Sequence, residues 1–331
     1  MTSPSGEAPQ LEILDLRHFS ASQMRPLLRD EAKRWQQRLH WDYTHSTDLL
    51  LDYLDSRVLP GFVAVAGSRP IGYAFCVYEA SKAVIGDVYA FTEAETTTNP
   101  ICDRMLRHLI EMLQATPGIE RVESQLLMFP AGALAEPFLS KGFRPYPRLF
   151  MLCDLRTSPL GEQARTPPRP RTFLLQPWKP DFYEAAAALI HRCYAGHMDS
   201  SINDQYRTIH GAQRFLHNII RFPGCGVFDA ENSWVLRDPS TLKLEAMILC
   251  SRVQKDVGHI TQLCVSPDLR SQGLGSLLLQ QCTSELLRRG YHALSLTVTE
   301  SNTGARNLYE RLGFQSLHRF EAMVWDKYAS G

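Results

Sequence analysis

The stretch Leu263 to Gly275, L-C-V-S-P-D-L-R-S-Q-G-L-G, decides the reading of this 331-residue chain. Its apolar run ending at Val265 predicts a strand, Pro267 a turn, and Gly273 and Gly275 the opening of an apolar helix that runs on to Arg289. At such a helix start the first backbone N–H groups have no intrahelical partner and carry the positive end of the dipole. Glycine there removes the Cβ that would hold an anion at a distance, and Arg270 adds a fork of charged donors. The layout is an anion cradle, and two common cradles do not fit it. A dinucleotide fingerprint needs a small residue where Leu278 stands and an acid after the next strand; a Walker A loop needs G-K-S or G-K-T, and the chain has neither triplet.

A second stretch lies downstream, after an amphipathic helix and an expected strand, Ala293 to Thr299. It reads N-T-G-A-R-N-L-Y-E-R-L-G-F, Asn302 to Phe314. R-S-Q-G-L-G resembles the R/Q-x-x-G-x-G/A acyl-CoA pyrophosphate loop of the GNAT superfamily of N-acetyltransferases. The second stretch is similar to that superfamily's N-x-x-A-x-x-L-Y-E-x-x-G-F helix. Ser271 stands where many members have glycine. The resemblance implies an α/β (α+β) fold, a mixed, mostly antiparallel sheet flanked by helices. It also implies acetyl-CoA as co-substrate and direct attack of an acceptor amine on the thioester in a ternary complex; no metal is expected, since no carboxylate or cysteine completes a ligand set with His210 and His217.

The same resemblance assigns cofactor binding to Leu263, Cys264, Val265, Arg270, Ser271, Gln272, Gly273, Leu274, Gly275, Ser276, Asn302 and Tyr309. The backbone of Leu263 to Val265 is expected to pair with the pantetheine arm like an added strand. Tyr309 is expected to donate to the departing thiolate; full proton transfer from phenol to thiolate is uphill by about 2 kcal/mol, so hydrogen-bond donation as charge develops suffices. An alkyl ammonium is only about 0.04% neutral at pH 7, so a base is useful. His259 is the position matching the family base on the strand before the loop, with Glu300, Asp199 and His210 as alternatives. The polar segment His197 to His210 offers Asp199, Asp204 and Tyr206 as ligands for a cationic small-molecule or peptide amine. The same loop would also serve an acyl-CoA-binding regulatory module without turnover, for which Tyr309 would be superfluous.

The elements expected before Leu155 return in the same order after Arg171. F-L-S-K-G-F, Phe138 to Phe143, answers Y-E-R-L-G-F, Tyr309 to Phe314, at an offset of 171 residues, and two strands repeat at about 175. The expected organisation is a degenerate copy over 1–155, an extended Pro/Arg-rich linker over 156–171, and a catalytic copy over 172–331. In the first copy the corresponding loop, Phe91 to Pro100, reads F-T-E-A-E-T-T-T-N-P; two carboxylates and no glycine would repel a pyrophosphate, so no acyl-CoA is expected there.

Composition bounds the rest. Lys plus Arg and Asp plus Glu number 35 each, so no basic field favours nucleic acid. Aliphatic runs such as Ala185 to Ile190 are too short to span a membrane, and the first ten residues lack a signal-peptide pattern; a cytoplasmic protein is expected. The eight cysteines contain no C-x-x-C pair, and reduced core thiols are expected.

Overall fold

The computed structural model describes residues 11–91, 99–166, 172–222 and 224–328. In chain order the first half forms β1 (Leu11–Asp15), α1 (Ala21–Leu39), α2 (Thr44–Asp55), β2 (Gly61–Ala66), β3 (Arg69–Glu79), β4 (Lys82–Ala90), α3 (Pro100–Ala115), β5 (Arg121–Gln125), α4 (Ala135–Leu139) and β6 (Arg144–Asp154). The second half forms α5 (Pro159–Ala164), β7 (Leu174–Pro177), α6 (Tyr183–Tyr194), α7 (Asp199–Ile202), α8 (Ile209–Arg221), β8 (Val227–Phe228) and β9 (Trp234–Arg237). It continues with β10 (Leu244–Gln254), β11 (Val257–Val265), α9 (Leu274–Arg288), β12 (Ala293–Thr299), α10 (Thr303–Arg311) and β13 (Gln315–Asp326).

These elements divide into two compact units, and the division is not the one the sequence suggests. One unit comprises the described residues of Met1–Arg34, Thr47–Tyr146 and Phe320–Gly331; the other comprises Trp35–Ser46 and the described residues of Pro147–Arg319. In the first unit β1, β2, β3 and β4 form an antiparallel run, β5 joins β4 in parallel, and residues 320–326 of β13 complete the sheet antiparallel to β5. In the second unit the same order is β7, β9, β10, β11 and parallel β12, completed by residues 148–154 of β6 antiparallel to β12. Each copy thus takes its last strand from a part of the chain assigned by sequence to the other. The boundaries 155 and 172 are corrected accordingly.

The expected linker is also corrected. Ser158 caps α5 through Gly161 N, Pro159 opens it, and Leu160 and Ala164 are buried in the core of the second unit. A Cβ on Gly161 would collide with the Leu155 carbonyl, so the helix needs glycine there. Residues 167–171 lie outside the described residues.

Period-2 alternation along β10 divides the second core. Ala246, Ile248 and Cys250 meet Leu274, Leu278, Cys282 and Leu286 of α9, whereas Met247 and Leu249 meet Ala186, Leu189 and Ile190 of α6 and Leu216 of α8. The sheet is therefore covered on both faces, and only its C-terminal strand ends are left for a site.

Candidate active site

The parallel ladder between β11 and β12 covers only residues 257–260 and 293–296. A bulge follows at Thr261, where Leu249 faces Gln262 but Cys250 faces Ile260. From there the two strands part around a cleft of about 540 Å³, with Thr261, Gln262, Leu263, Cys264 and Val265 on one side and Leu296, Thr297 and Val298 on the other. The β12-facing edge of β11 thus lies open along the cleft.

At one end of the cleft stands the loop into α9. Ser271 and Gly273 both adopt left-handed backbone, with φ of +62° and +80°. No side chain caps α9, and Gly273, Leu274, Gly275 and Ser276 all line the cleft, so the N–H groups of the first turn face it without an intrahelical acceptor. A Cβ on Gly275 would meet only ordinary contacts, 3.5 Å to Leu308 and 4.0 Å to Val265. Packing does not demand glycine there; room in the cleft does. Arg270 lines the cleft while its Nη2 donates to the Cys193 carbonyl (2.8 Å), which tethers the guanidinium. Gln272 is exposed and directs Nε2 toward the Asp268 carbonyl (3.4 Å), away from the cleft-lining set.

On the opposite wall Asn302 Oδ1 accepts from Ala305 N (3.3 Å), capping α10, and the residue also lines the cleft. Tyr309, two turns into α10, lines it too. Burial, reinforced by the charge of Asp199, pushes its phenol above the ordinary range, so it stays protonated at neutral pH. Burial and the neighbouring Cys193 thiol likewise push the Cys264 thiol well up, leaving it neutral.

The expected base does not join this set. His259 is 4% exposed and absent from the cleft lining. Ser295 Oγ donates to the Gly258 carbonyl (3.2 Å), leaving its lone pairs for His259 Nδ1 (2.9 Å). The ring lies 4.9 Å from Trp41 and stacks on Phe150 at 6.0 Å. Burial, aided by the charge of Arg148, drags its pKa down to about 3, so the ring is neutral at pH 7 but sealed away from the cleft. Glu300 is spent on Arg319 (2.9 Å), His210 is exposed beside Gln213 (3.2 Å), and Asp204 lies outside the lining. Asp199 and Tyr206 do line the cleft. Asp199 Oδ1 accepts from Thr299 Oγ1 (2.5 Å), and its Oδ2 lies 3.7 Å from His197 Nδ1. Tyr206 stacks on Tyr194 at 4.1 Å, and the Tyr194 hydroxyl accepts from Gln262 Nε2 (2.8 Å).

Residues 196–314 match the model of the acetyltransferase (GNAT) family. The chain carries a GNAT acetyltransferase domain. The [ribosomal protein bS18]-alanine N-acetyltransferase of Escherichia coli (strain K12) is 41% identical over 69 residues, 21% of this chain and 47% of that protein. The chain spans about half the length of the curated relatives it matches. A tandem GNAT protein from the clavulanic acid biosynthesis pathway superposes with a TM-score of 0.59 at 14% identity, covering 97% of this chain and 100% of the other. A GCN5-related N-acetyltransferase from Sphaerobacter thermophilus gives 0.61 at 16%, covering 96% of each. At these identities the likeness is one of fold, and it extends over both units.

Several residues around the GNAT cleft escaped the sequence reading: Arg148, Cys193, Tyr194, His197, Gln262 and Thr297. His197 stood at the edge of the polar segment already singled out. Arg148 carried no signal, because it lies in the half assigned to the other copy. The first copy keeps the short parallel ladder, residues 82–85 with 121–124, and a bulge at Gly86, but differs from the second at its helix start and at the position of Tyr309. Asn99 Oδ1 accepts from Ile101 N (3.0 Å) and Cys102 N (3.4 Å), so α3 is capped by its own chain. Phe138 stands where Tyr309 stands, so the first copy carries no phenol at that position. Residues 92–98, on which the expectation of a repelling loop rests, lie outside the described residues.

Proposed function

We propose that the second GNAT copy transfers an acetyl group from acetyl-CoA to the amine of a small molecule or peptide, and that the first copy does not bind acyl-CoA. The observation that carries this is the combination, in one cleft, of an open β11 edge, an uncapped α9 start and a protonated Tyr309. The α9 N–H groups and Arg270 receive the pyrophosphate, and the β11 edge receives the pantetheine amides. A neutral amine attacks the thioester carbonyl carbon. A C–N bond forms, the C–S bond breaks as the tetrahedral intermediate collapses, and the departing thiolate, held by a hydrogen bond from Tyr309 O–H, takes up the proton that the nitrogen sheds. Asp199, rather than His259, takes the ammonium proton directly or through a water, since its carboxylate lines the cleft while the imidazole does not. The bS18-directed relatives act on an alanine amine, consistent with an amine acceptor here.

Calorimetric titration of acetyl-CoA into the full chain tests the reading. One site is expected, lost in Gly275→Glu, whose carboxylate would fill the cradle while the fold tolerates its Cβ. Thiol release with an amine panel then separates catalysis from mere binding: tight acetyl-CoA binding without release for any amine would identify an acyl-CoA-binding module.

A further inference from the structure

The acceptor end of the cleft holds two opposite charges anchored on one strand face. Thr297 and Thr299 are two apart on β12, so both side chains project to the same side, about 6.6 Å apart along the strand. Arg148 Nη2 donates to Thr297 Oγ1 (3.4 Å), and Asp199 Oδ1 accepts from Thr299 Oγ1 (2.5 Å). Arg148 is also directly across the ladder from Thr299, which puts it on that face by register. Arg148, Asp199 and Thr297 all line the cleft, with the stacked Tyr194 and Tyr206 rings beside them. The charges of Arg148 and Asp199 both reach Tyr206.

This pairing bears on which amines fit. A bare ammonium drawn to Asp199 would also feel the guanidinium anchored one strand repeat away, and in a half-buried cleft that repulsion offsets part of the attraction. An acceptor with its own anion reverses the sign of the second interaction and gives the guanidinium fork a carboxylate or phosphate to grip. We propose that the acceptor is an amine bearing an anionic group a few bonds from its nitrogen, an amino acid being the simplest case, with Asp199 receiving the ammonium and Arg148 the anion. The inference rests on the acetyl-transfer reading above and narrows its substrate class. It also gives β6 a role in the chemistry: the strand supplied by the first half of the chain brings the group that selects the acceptor.

The test compares acceptors matched except for the anion: glycine with glycinamide, β-alanine with its amide, O-phosphoethanolamine with ethanolamine, and an alanine tripeptide amide as a neutral peptide. Thiol release from acetyl-CoA is followed in the full chain, Arg148→Met and Arg148→Lys, each checked by thermal melting. At least one anionic member is expected to exceed its neutral partner tenfold or more in kcat/KM. Arg148→Met is expected to abolish that preference through the KM of the anionic member alone, leaving the KM for acetyl-CoA unchanged, and Arg148→Lys to restore part of it. The carboxylate and phosphate arms show which anion is gripped. Equal or better turnover of the neutral members, or a preference that survives Arg148→Met, overturns the proposal.

If no amine releases thiol, the acetyl-transfer reading fails, and the charge-pair site is read by calorimetry with the same compounds on the CoA-loaded chain. Binding of anionic members but not their neutral partners, lost in Arg148→Met, upholds the site. Binding of neither, or of both alike, overturns it.

Discussion

Tyr309 and His259 show how burial assigns opposite fates to two residues that the sequence placed together. Burial raises the phenol and keeps it a donor; burial lowers the imidazole and removes it as a base. Tyr309→Phe removes the hydroxyl and little volume, so kcat is expected to fall about 100-fold while acetyl-CoA affinity stays within twofold. Stopped-flow thiol release paired with calorimetry reads both. For His259 the consequence is a stability profile. The folded imidazole titrates near 3, whereas the unfolded one titrates near its ordinary 6.5, so between those values the unfolded chain binds the extra proton. Stability therefore falls as pH drops through that window, by up to about 1.4 kcal/mol per pH unit from this group. His259→Gln is expected to flatten the denaturation midpoint against pH between 6 and 4 by about one proton, and to leave turnover at pH 7.5 largely intact. Turnover lost in a well-folded His259→Gln would restore the imidazole to the mechanism. The position of Tyr309 was legible because its motif frames it. The burial of His259 was not, because what buries it, Trp41 and Phe150, comes from distant sequence.

Among the elements, the loop between β11 and α9 was the most legible, and its backbone explains its residues. Gly273 at φ +80° occupies a conformation that costs an L side chain about 1 to 2 kcal/mol, and Ser271 at +62° already bears such a cost. Gly273→Ala is expected to lower stability by about 1 kcal/mol in urea denaturation and to weaken acetyl-CoA binding. Ser271→Gly exchanges relieved strain for greater freedom of the unfolded chain, so its midpoint should move by less than about 0.5 kcal/mol. If Gly273→Ala proves as silent as Ser271→Gly, the left-handed turn is not what shapes the cradle. The strands flanking this loop were readable from alternation, and β12 was read with its bounds as they stand. Their separation beyond residues 260 and 296 was not readable, because it arises from a bulge at Thr261, an ordinary β-former whose extra half-step leaves no mark in composition.

At the scale of the whole chain, the duplication was legible and the exchange of strands was not. Periodicity identifies β6 and β13 as strands, but each pairs with a neighbour more than 100 residues away, and pairing partners leave no trace in local pattern. The exchange has a cost for any attempt to isolate the second copy. A fragment covering 172–331 would lack β6, leaving residues 293–299 of β12 as an open apolar edge, and would remove Met151, Cys153, Leu155 and Leu160 from the core around α9. It would also lack Trp41 and Phe150, which seal His259, and Arg148 at the cleft. Losing four buried apolar side chains at about 2 to 3 kcal/mol each approaches the whole stability of a typical domain. The fragment is therefore expected to aggregate or to show no cooperative melt, and to bind no acetyl-CoA, while the full chain melts cooperatively and binds one equivalent. A soluble fragment with a sharp transition and undiminished acetyl-CoA affinity would mean that the second copy folds without its borrowed strand.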